Sequence, residues 1–250
     1  MPPYAGDASP STAARALATI GTGALAPVLD LSLPRMQSFA DRHGYDVVVG
    51  AGDSDGRPPA WGKITLLRRL LDTYDAVLWI DADVLIVDEL EDVPALRPGA
   101  FQGLVEQRKR ETVANTGVWS MRSCDESRSF LEAVWERSDR IDHPWWEQAA
   151  VLDLLGYADV PNTKADPPTT RHQTRTPWYD ATQFLPAEWN CLYPPWMRDT
   201  DNPRFWHFAG MPNEDRITFM RIESRRRASG ADLVYRKLLS AKYRVRRLKG

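Results

Sequence analysis

The feature that most constrains this chain is the alternation, through its first 90 residues, of short apolar runs with helix-patterned segments. "ALATIGTG" reads as a strand entering a Gly-rich turn, and "PRMQSFADRHG" as a helix with Pro34 in its first turn and Gly44 closing it. "YDVVVG" reads as a short buried strand. After the polar loop "AGDSDGRPP", the segment "AWGKITLLRRLLDTYD" sets Ile64, Leu67, Leu70 and Leu71 at helical spacing. A third run, "VLWIDADVLIVDEL" (residues 77–90), is apolar enough for a strand buried on both faces. The resulting β-α-β-α-β order predicts an α/β fold of one domain: a mainly parallel, Rossmann-like sheet flanked by helices. Sheets of this class bind ligands beyond the carboxyl ends of their strands.

Two acids interrupt the third run. Residues two apart in a strand share a side, so Asp81 and Asp83 would converge while Ala82 faces away. Two carboxylates that close repel unless a proton or a cation lies between them. The ordinary reading of a bare D-x-D is a pair of solvated aspartates at a strand end; what favours a ligand is the position, at the far end of the third predicted strand. Oxygen donors of this type suit Mg²⁺ or Mn²⁺, and Mn²⁺ also accepts an imidazole. His207, in "FWHFAG" at another apparent strand end, is one of four histidines. A lone histidine among aromatics is also an ordinary core residue, and it is the joint pattern that points to a metal.

Downstream, "FQGLVEQ" and "VANTGVWSMR" read as strands, and "DESRSFLEAVWERSD" as a helix with Asp125 as N-cap. "HPWWEQAAVLDLLG" reads as a helix with Pro144 in its first turn and Gly156 just past its end. Residues 159–185 are polar, contain four prolines and lack periodicity, which predicts a long ordered loop over a site. "PRFWHFAG" reads as a strand, and a basic helix ends the chain. The expected boundaries are a flexible N-terminus at 1–14, the α/β domain at 15–220 and the basic helix at 221–250.

Composition excludes several classes. No run of about 18 apolar residues exists, so no spanning helix is expected. Cys124 and Cys191 cannot form a disulfide framework and lack metal-ligand spacing, which fits a reducing compartment, the cytoplasm. The formal charge of −2 divides unevenly: residues 221–250 hold 11 Lys/Arg against Glu223 and Asp232, a net +9, which leaves −11 for the first 220. A basic patch confined to one end of an acidic body argues against nucleic acid. On the predicted C-terminal helix, Val234, Tyr235, Leu238 and Leu239 share a face, with Arg236, Lys237, Arg244, Arg246 and Arg247 mostly elsewhere. Such a helix could make peripheral contact with an anionic membrane or simply be solvated.

The ordered set "WGKITLLRRLLDTYDAVLWIDADVLIVD", "NTGVWSMR", "WWEQAAVLDLL" and "FWHFAG" resembles the nucleotide-sugar glycosyltransferases of GT-A fold. It is most similar to the retaining family that holds fungal galactosyl- and mannosyltransferases and plant xyloglucan xylosyltransferases. The resemblance covers roughly residues 16–215. It implies a sugar donor (a UDP-sugar first, GDP-mannose second), a carbohydrate or other hydroxyl acceptor, and Mn²⁺ or Mg²⁺ as cofactor. It makes Asp83 the main metal ligand, His207 the third ligand, and Asp81 a contact to the donor ribose or the metal. Lys63 matches a lysine that approaches the donor, while Thr19 and Gly21, where the first strand meets its turn, are expected on the nucleotide. Asn115 and Gln148 match positions that line the donor sugar, with Glu147 the second choice after Gln148 for a role at the reacting centre.

One departure stands out. The family usually carries a lysine on the diphosphate just after the His-containing motif, whereas Gly210 here precedes Met211, Pro212 and Asn213, and Arg216 is the nearest replacement. Of ten tryptophans, Trp178 is expected on the acceptor side, with Trp145, Trp146, Trp189 and Trp196 in or near segments that could border a cleft. Two other readings stay open. Haloacid-dehalogenase-type phosphatases also end a strand in D-x-D, though near the start of their domain and with Thr or Val where this chain has Leu85. A non-catalytic domain that binds nucleotide sugar is the other.

Overall fold

The computed structural model describes residues 14–107, 112–161, 170–193 and 199–229. Its strands are β1 (Arg15–Ile20), β2 (Asp46–Gly50), β3 (Ala76–Ile80), β4 (Val84–Ile86), β5 (Gln102–Gln107), β6 (Val113–Arg122), β7 (Tyr157–Ala158), β8 (Arg171–His172), β9 (Thr182–Leu185), β10 (Cys191–Leu192) and β11 (Phe205–His207). The helices are α1 (Ala26–His43), α2 (Gly62–Leu70), α3 (Asp125–Glu136), α4 (Trp146–Leu155), α5 (Pro177–Asp180) and α6 (Asn213–Ser229), with short 3-10 turns between some of them.

The main sheet has the order β2-β1-β3-β6-β5-β9. β1 runs parallel to β2 and β3, and β5 parallel to β9; β6 alone runs against its neighbours β3 and β5. The predicted mainly parallel α/β sheet is therefore present. Its two faces are read off alternate residues of the central strands. Ala16, Ala18, Val77 and Trp79 join one apolar cluster with α2, α3 and α4, whereas Leu17, Leu78 and Ile80 join another with Met36, Phe39 and Ala40 of α1. Burial on both faces is what lets β1 and β3 be continuously apolar. A second sheet, β10-β11-β4, stands beside the first.

Five local expectations need correction. The first helix begins at Ala26 with Pro27 in its first turn, and Pro34 lies inside it. Val28, Leu29, Ser32, Met36, Phe39 and Ala40 still form one buried helical face, and that face outweighs the hydrogen bond lost at Pro34. β2 is an edge strand with Val49 half-exposed. The apolar run around Asp81 is two strands in two sheets, broken by a turn in which the Val84 N–H donates to Asp81 O at 2.9 Å. At the starts of α3 and α4, Cys124 and Trp145 occupy the N-cap positions, so Asp125 is the first helical residue and Pro144 precedes its helix. Within 159–185, β8, α5 and β9 are regular, and β9 extends the main sheet, so the described part is no structureless loop.

Trp178 is the further correction. Its partly buried ring packs against the core, 5.7 Å from Phe101 and 5.2 Å from Phe130 of α3. Trp189 is likewise core, and Trp196 lies outside the described residues. So do the side chains of the proposed basic helix at 234–247. No helix among the described residues is long and apolar enough to cross a membrane.

Candidate metal and donor site

The site forms where β3 ends. Backbone bonds hold the Asp81–Asp83 turn from three sides: the Asp81 N–H donates to Gly117 O of β6 at 2.8 Å, and the Phe208 N–H, just after β11, donates to Asp83 O at 3.0 Å. From α1, the buried Ser32 hydroxyl donates to Ala82 O at 2.7 Å. A hydroxyl in the apolar face of α1 is thereby explained, and three elements distant in sequence fix one turn.

β11 pairs antiparallel with β4, with His207 opposite Val84. That register carries the imidazole over the turn, where Nε2 lies 3.4 Å from Asp83 Oδ1 and 4.0 Å from Asp81 Oδ2. Asp81, Asp83 and His207 can each offer a ligand atom, all within 4.8 Å of one another. The 124-residue separation of Asp83 and His207 in sequence is closed, as the motif requires.

The approach of His207 depends on a glycine. A Cβ at Gly117 would lie 2.2 Å from His207 Cε1 and 2.6 Å from Nδ1, so no other residue fits without moving the ring. Gly117 sits where the β5–β6 register jumps, Leu104 pairing Trp119 but Val105 pairing Asn115, and residues 116–118 bulge out of that ladder. Bulges re-aim side chains, and this one turns Asn115 and Thr116 toward the site.

A chain of charge surrounds the turn. Lys63 is buried on α2, with its ammonium 3.0 Å from Asp81 Oδ1 and 2.8 Å from Glu147 Oε1, and it donates also to Thr116 O at 3.2 Å. Burial alone would push the Lys63 ammonium toward neutrality, but Asp81 and Glu147 outweigh it and hold the pKa above the ordinary lysine value. Glu147 shares that one cation with Asp81, so burial and Asp81 raise its carboxyl although Lys63 opposes them. The Trp79 indole donates to Asp81 Oδ1 at 2.6 Å, so Asp81 turns Oδ2 toward His207. Behind Asp83, Arg216 Nε stands 3.3 Å from Oδ2. Burial opposes ionisation of Asp83, yet His207 and Arg216 bring its pKa down to about 2.

No protein-family model and no curated protein sequence matches the chain. Solved structures do. The chain is similar over 84% of its length to 99% of a glycosyltransferase involved in the glycosylation of the major capsid of the virus PBCV-1, at TM-score 0.58 and 15% identity. It is similar over 84% of its length to 63% of the glycosyltransferase GlyE of Streptococcus pneumoniae TIGR4, at TM-score 0.50 and 10% identity. The fold is GT-A. At these identities the likeness establishes architecture; the chemistry rests on the residues of this chain.

In the GT-A frame, the predicted residues fall into four groups. Asp81, Asp83, His207, Lys63 and Glu147 meet in one connected cluster. Gln148 and Asn115 border it: Gln148 Oε1 accepts from the Thr116 N–H at 3.2 Å, and Asn115 Oδ1 accepts from the Gly117 N–H at 2.8 Å. Arg216 is nearly buried, and besides Asp83 its guanidinium contacts Phe208 O at 3.2 Å and Asn213 Oδ1 at 2.6 Å, so it braces Asp83 from behind. Thr19 and Gly21 lie apart at the end of β1. The buried Thr19 hydroxyl has no hydrogen-bond partner among the described residues. Gly21 has a packing reason, since a Cβ there would meet Leu29 Cβ at 2.5 Å.

Sequence reasoning missed Thr116, Gly117 and Asn190. Asn190 Oδ1 lies 2.8 Å from His207 Nδ1. "NTG" was a visible signal for the first two, because Gly inside a strand often marks a bulge. Nothing local distinguishes Asn190.

Proposed function

We propose that the chain is a metal-dependent glycosyltransferase that moves a sugar from a nucleotide diphosphate sugar to a hydroxyl of a carbohydrate acceptor. The observation that carries the reading is the convergence of Asp81, Asp83 and His207 at the carboxyl end of a central strand in a GT-A sheet. The donor set fits a divalent ion: two carboxylates and an imidazole suit Mn²⁺, and Mg²⁺ with more reliance on the carboxylates. When bound, such an ion supplies charge neutralisation to the departing diphosphate.

The side chains of this protein do the rest. Asp83 and His207 hold the ion, while Asp81 is oriented by Trp79 and Lys63. Arg216 fixes the other Asp83 oxygen, which leaves diphosphate contact by Arg216 secondary to this bracing. Gln148, held through Thr116, orients the sugar and stabilises its developing positive charge. The reaction is proposed to retain anomeric configuration by same-face attack. Glu147, the carboxylate beside Gln148, is buried and paired to Lys63, and an amide is a poor nucleophile. Thr19 is fully buried, so it stands behind the donor side and not on it.

On the acceptor side, Trp146 takes the role expected of Trp178. It adjoins Glu147, is 41% exposed, and has φ +45°, a conformation that costs a tryptophan on the order of 1 kcal/mol. A phosphatase fits less well, because the first aspartate would have to be a nucleophile while Lys63 and Trp79 occupy its Oδ1.

Release of nucleoside diphosphate from a panel of UDP-sugars and then GDP-mannose, with and without Mn²⁺, tests the proposal. Metal-dependent turnover that Asp83→Ala abolishes is expected. Hydrolysis of phosphate esters without donor binding would transfer the site to the phosphatase reading, and donor bound but never consumed with varied acceptors would make it a binding domain.

A further inference from the structure

Two backbone groups, whose hydrogen-bonding sense is not open to choice, bracket a buried network of amides beside His207. The Gly117 N–H can only donate, and it donates to Asn115 Oδ1 at 2.8 Å. Asn115 therefore presents oxygen there, and the same oxygen accepts from Asn190 Nδ2 at 2.8 Å. With its nitrogen so engaged, Asn190 turns Oδ1 to His207 Nδ1, 2.8 Å away. An amide oxygen only accepts, so Nδ1 must carry the proton.

The far end agrees. The Asn190 carbonyl can only accept, and it takes Gln107 Nε2 at 3.3 Å. That leaves Gln107 Oε1 to accept from Asn115 Nδ2 at 3.4 Å. Reversing Asn115 would set its amide hydrogens against the Gly117 N–H, and reversing Asn190 would leave two oxygens face to face across 2.8 Å. Asn115, Asn190, Gln107 and His207 are all buried, so water cannot repair a wrong orientation.

We propose that Asn190, oriented by Asn115, is a positioning residue that keeps His207 in its Nδ1–H form and so aims the Nε2 lone pair at Asp81 and Asp83. With Nδ1 so protonated, Nε2 faces the two carboxylates, where the neutral ring would add a third acceptor for a cation. Metal-ligating histidines are oriented in this way, by a partner on the nitrogen that does not bind metal. The consequence for metal rests on the proposed function; the tautomer itself does not. It also gives Asn115 a role apart from lining the sugar: its oxygen is already committed within the protein.

The test is ¹⁵N-edited NMR of the histidine ring in metal-free protein, followed into alkaline pH until the neutral ring is observed. His207 is assigned by its loss in His207→Gln. The Nδ1–H pattern is expected in the wild type, whereas Asn190→Leu, with no acceptor for Nδ1, gives a mixture of tautomers. Calorimetry with Mn²⁺ alone then reads affinity, which Asn190→Leu weakens about 10- to 100-fold. An Nε2–H pattern in the wild type overturns the proposal, whether or not the variants fold. Weaker Mn²⁺ binding by Asn190→Leu with its Nδ1–H pattern unchanged overturns it too, since that would make Asn190 merely structural. An Nδ1–H pattern in a wild type that binds no Mn²⁺ upholds the tautomer and removes the metal reading alone.

Discussion

Gly117 and His207 form one packing unit: the space that a β-carbon would need at Gly117 is taken by the imidazole, 2.2 Å away at Cε1. A bulge on one strand of the main sheet thus sets the position of a side chain from the other sheet. Gly117→Ala should push the ring off Asp81 and Asp83 and cost about 1–3 kcal/mol through overpacking. Urea unfolding measures that loss. Calorimetry should show Mn²⁺ affinity falling by more than stability alone explains, whereas unchanged Mn²⁺ affinity would mean that the ring does not touch metal.

Lys63 balances two carboxylates in a buried place. Removing the cation while leaving both acids is the costly change, so Lys63→Met should destabilise the metal-free protein by about 3–5 kcal/mol. Glu147→Gln keeps a hydrogen-bond acceptor for Lys63 and leaves Asp81 as counter-ion, so its loss should be clearly smaller. Chemical denaturation of the two variants side by side gives the comparison. A larger loss for Glu147→Gln would contradict the shared-cation arrangement.

Trp146 separates stability from binding. Trp146→Ala and Trp146→Gly both remove the indole, but only glycine relaxes a φ of +45°. The glycine variant should be more stable than the alanine variant by about 1 kcal/mol. Both should raise the KM for acceptor and leave the KM for donor unchanged. If the two variants lose acceptor binding unequally, backbone shape rather than the aromatic face contacts the acceptor.

The alternation of apolar runs and helices was legible because each obeys a local period, and the Asp81, Asp83 and His207 cluster was legible because few residue types can share a cation. Less was visible where distant segments impose the local conformation. The turn at Asp81–Asp83 exists because β4 leaves β3 to pair with β11, more than 100 residues later in the chain. Ser32 looks like a break in an apolar helix face until Ala82 O is seen opposite it. Pro34 suggested a helix start, yet the buried face on either side of it carries the helix through. Asn190 looks like any turn asparagine, and only its two partners, 75 and 17 residues away, give it meaning. Trp178 was assigned by composition of its segment, and packing against Phe101 and Phe130 decided otherwise.

The edge of the sheet near β2 gives a pH dependence whose sign can be worked out. The Tyr45 hydroxyl donates to Asp92 Oδ1 at 2.8 Å, and Arg15 Nη1 pairs with the other Asp92 oxygen at 2.7 Å. Burial, with Asp92 beside it, pushes the Tyr45 phenol above its ordinary 10.0, although Arg15 pulls the other way. A raised pKa means that the folded protein holds the proton more tightly. The stabilisation is therefore full below the unfolded value near 10.0 and is lost as pH climbs toward the folded one. Thermal melts between about pH 9 and about pH 11.5 should show a steeper fall in Tm for wild type than for Tyr45→Phe. Parallel curves would remove the phenol from the alkaline limb.

The most direct measurement is a crystal structure of the protein grown with UDP and Mn²⁺, with anomalous diffraction recorded for manganese. The account predicts one strong anomalous peak at bonding distance from an Asp83 oxygen and His207 Nε2, with the diphosphate of UDP on the same ion. A peak elsewhere, or UDP bound with no manganese between Asp83 and His207, would contradict it.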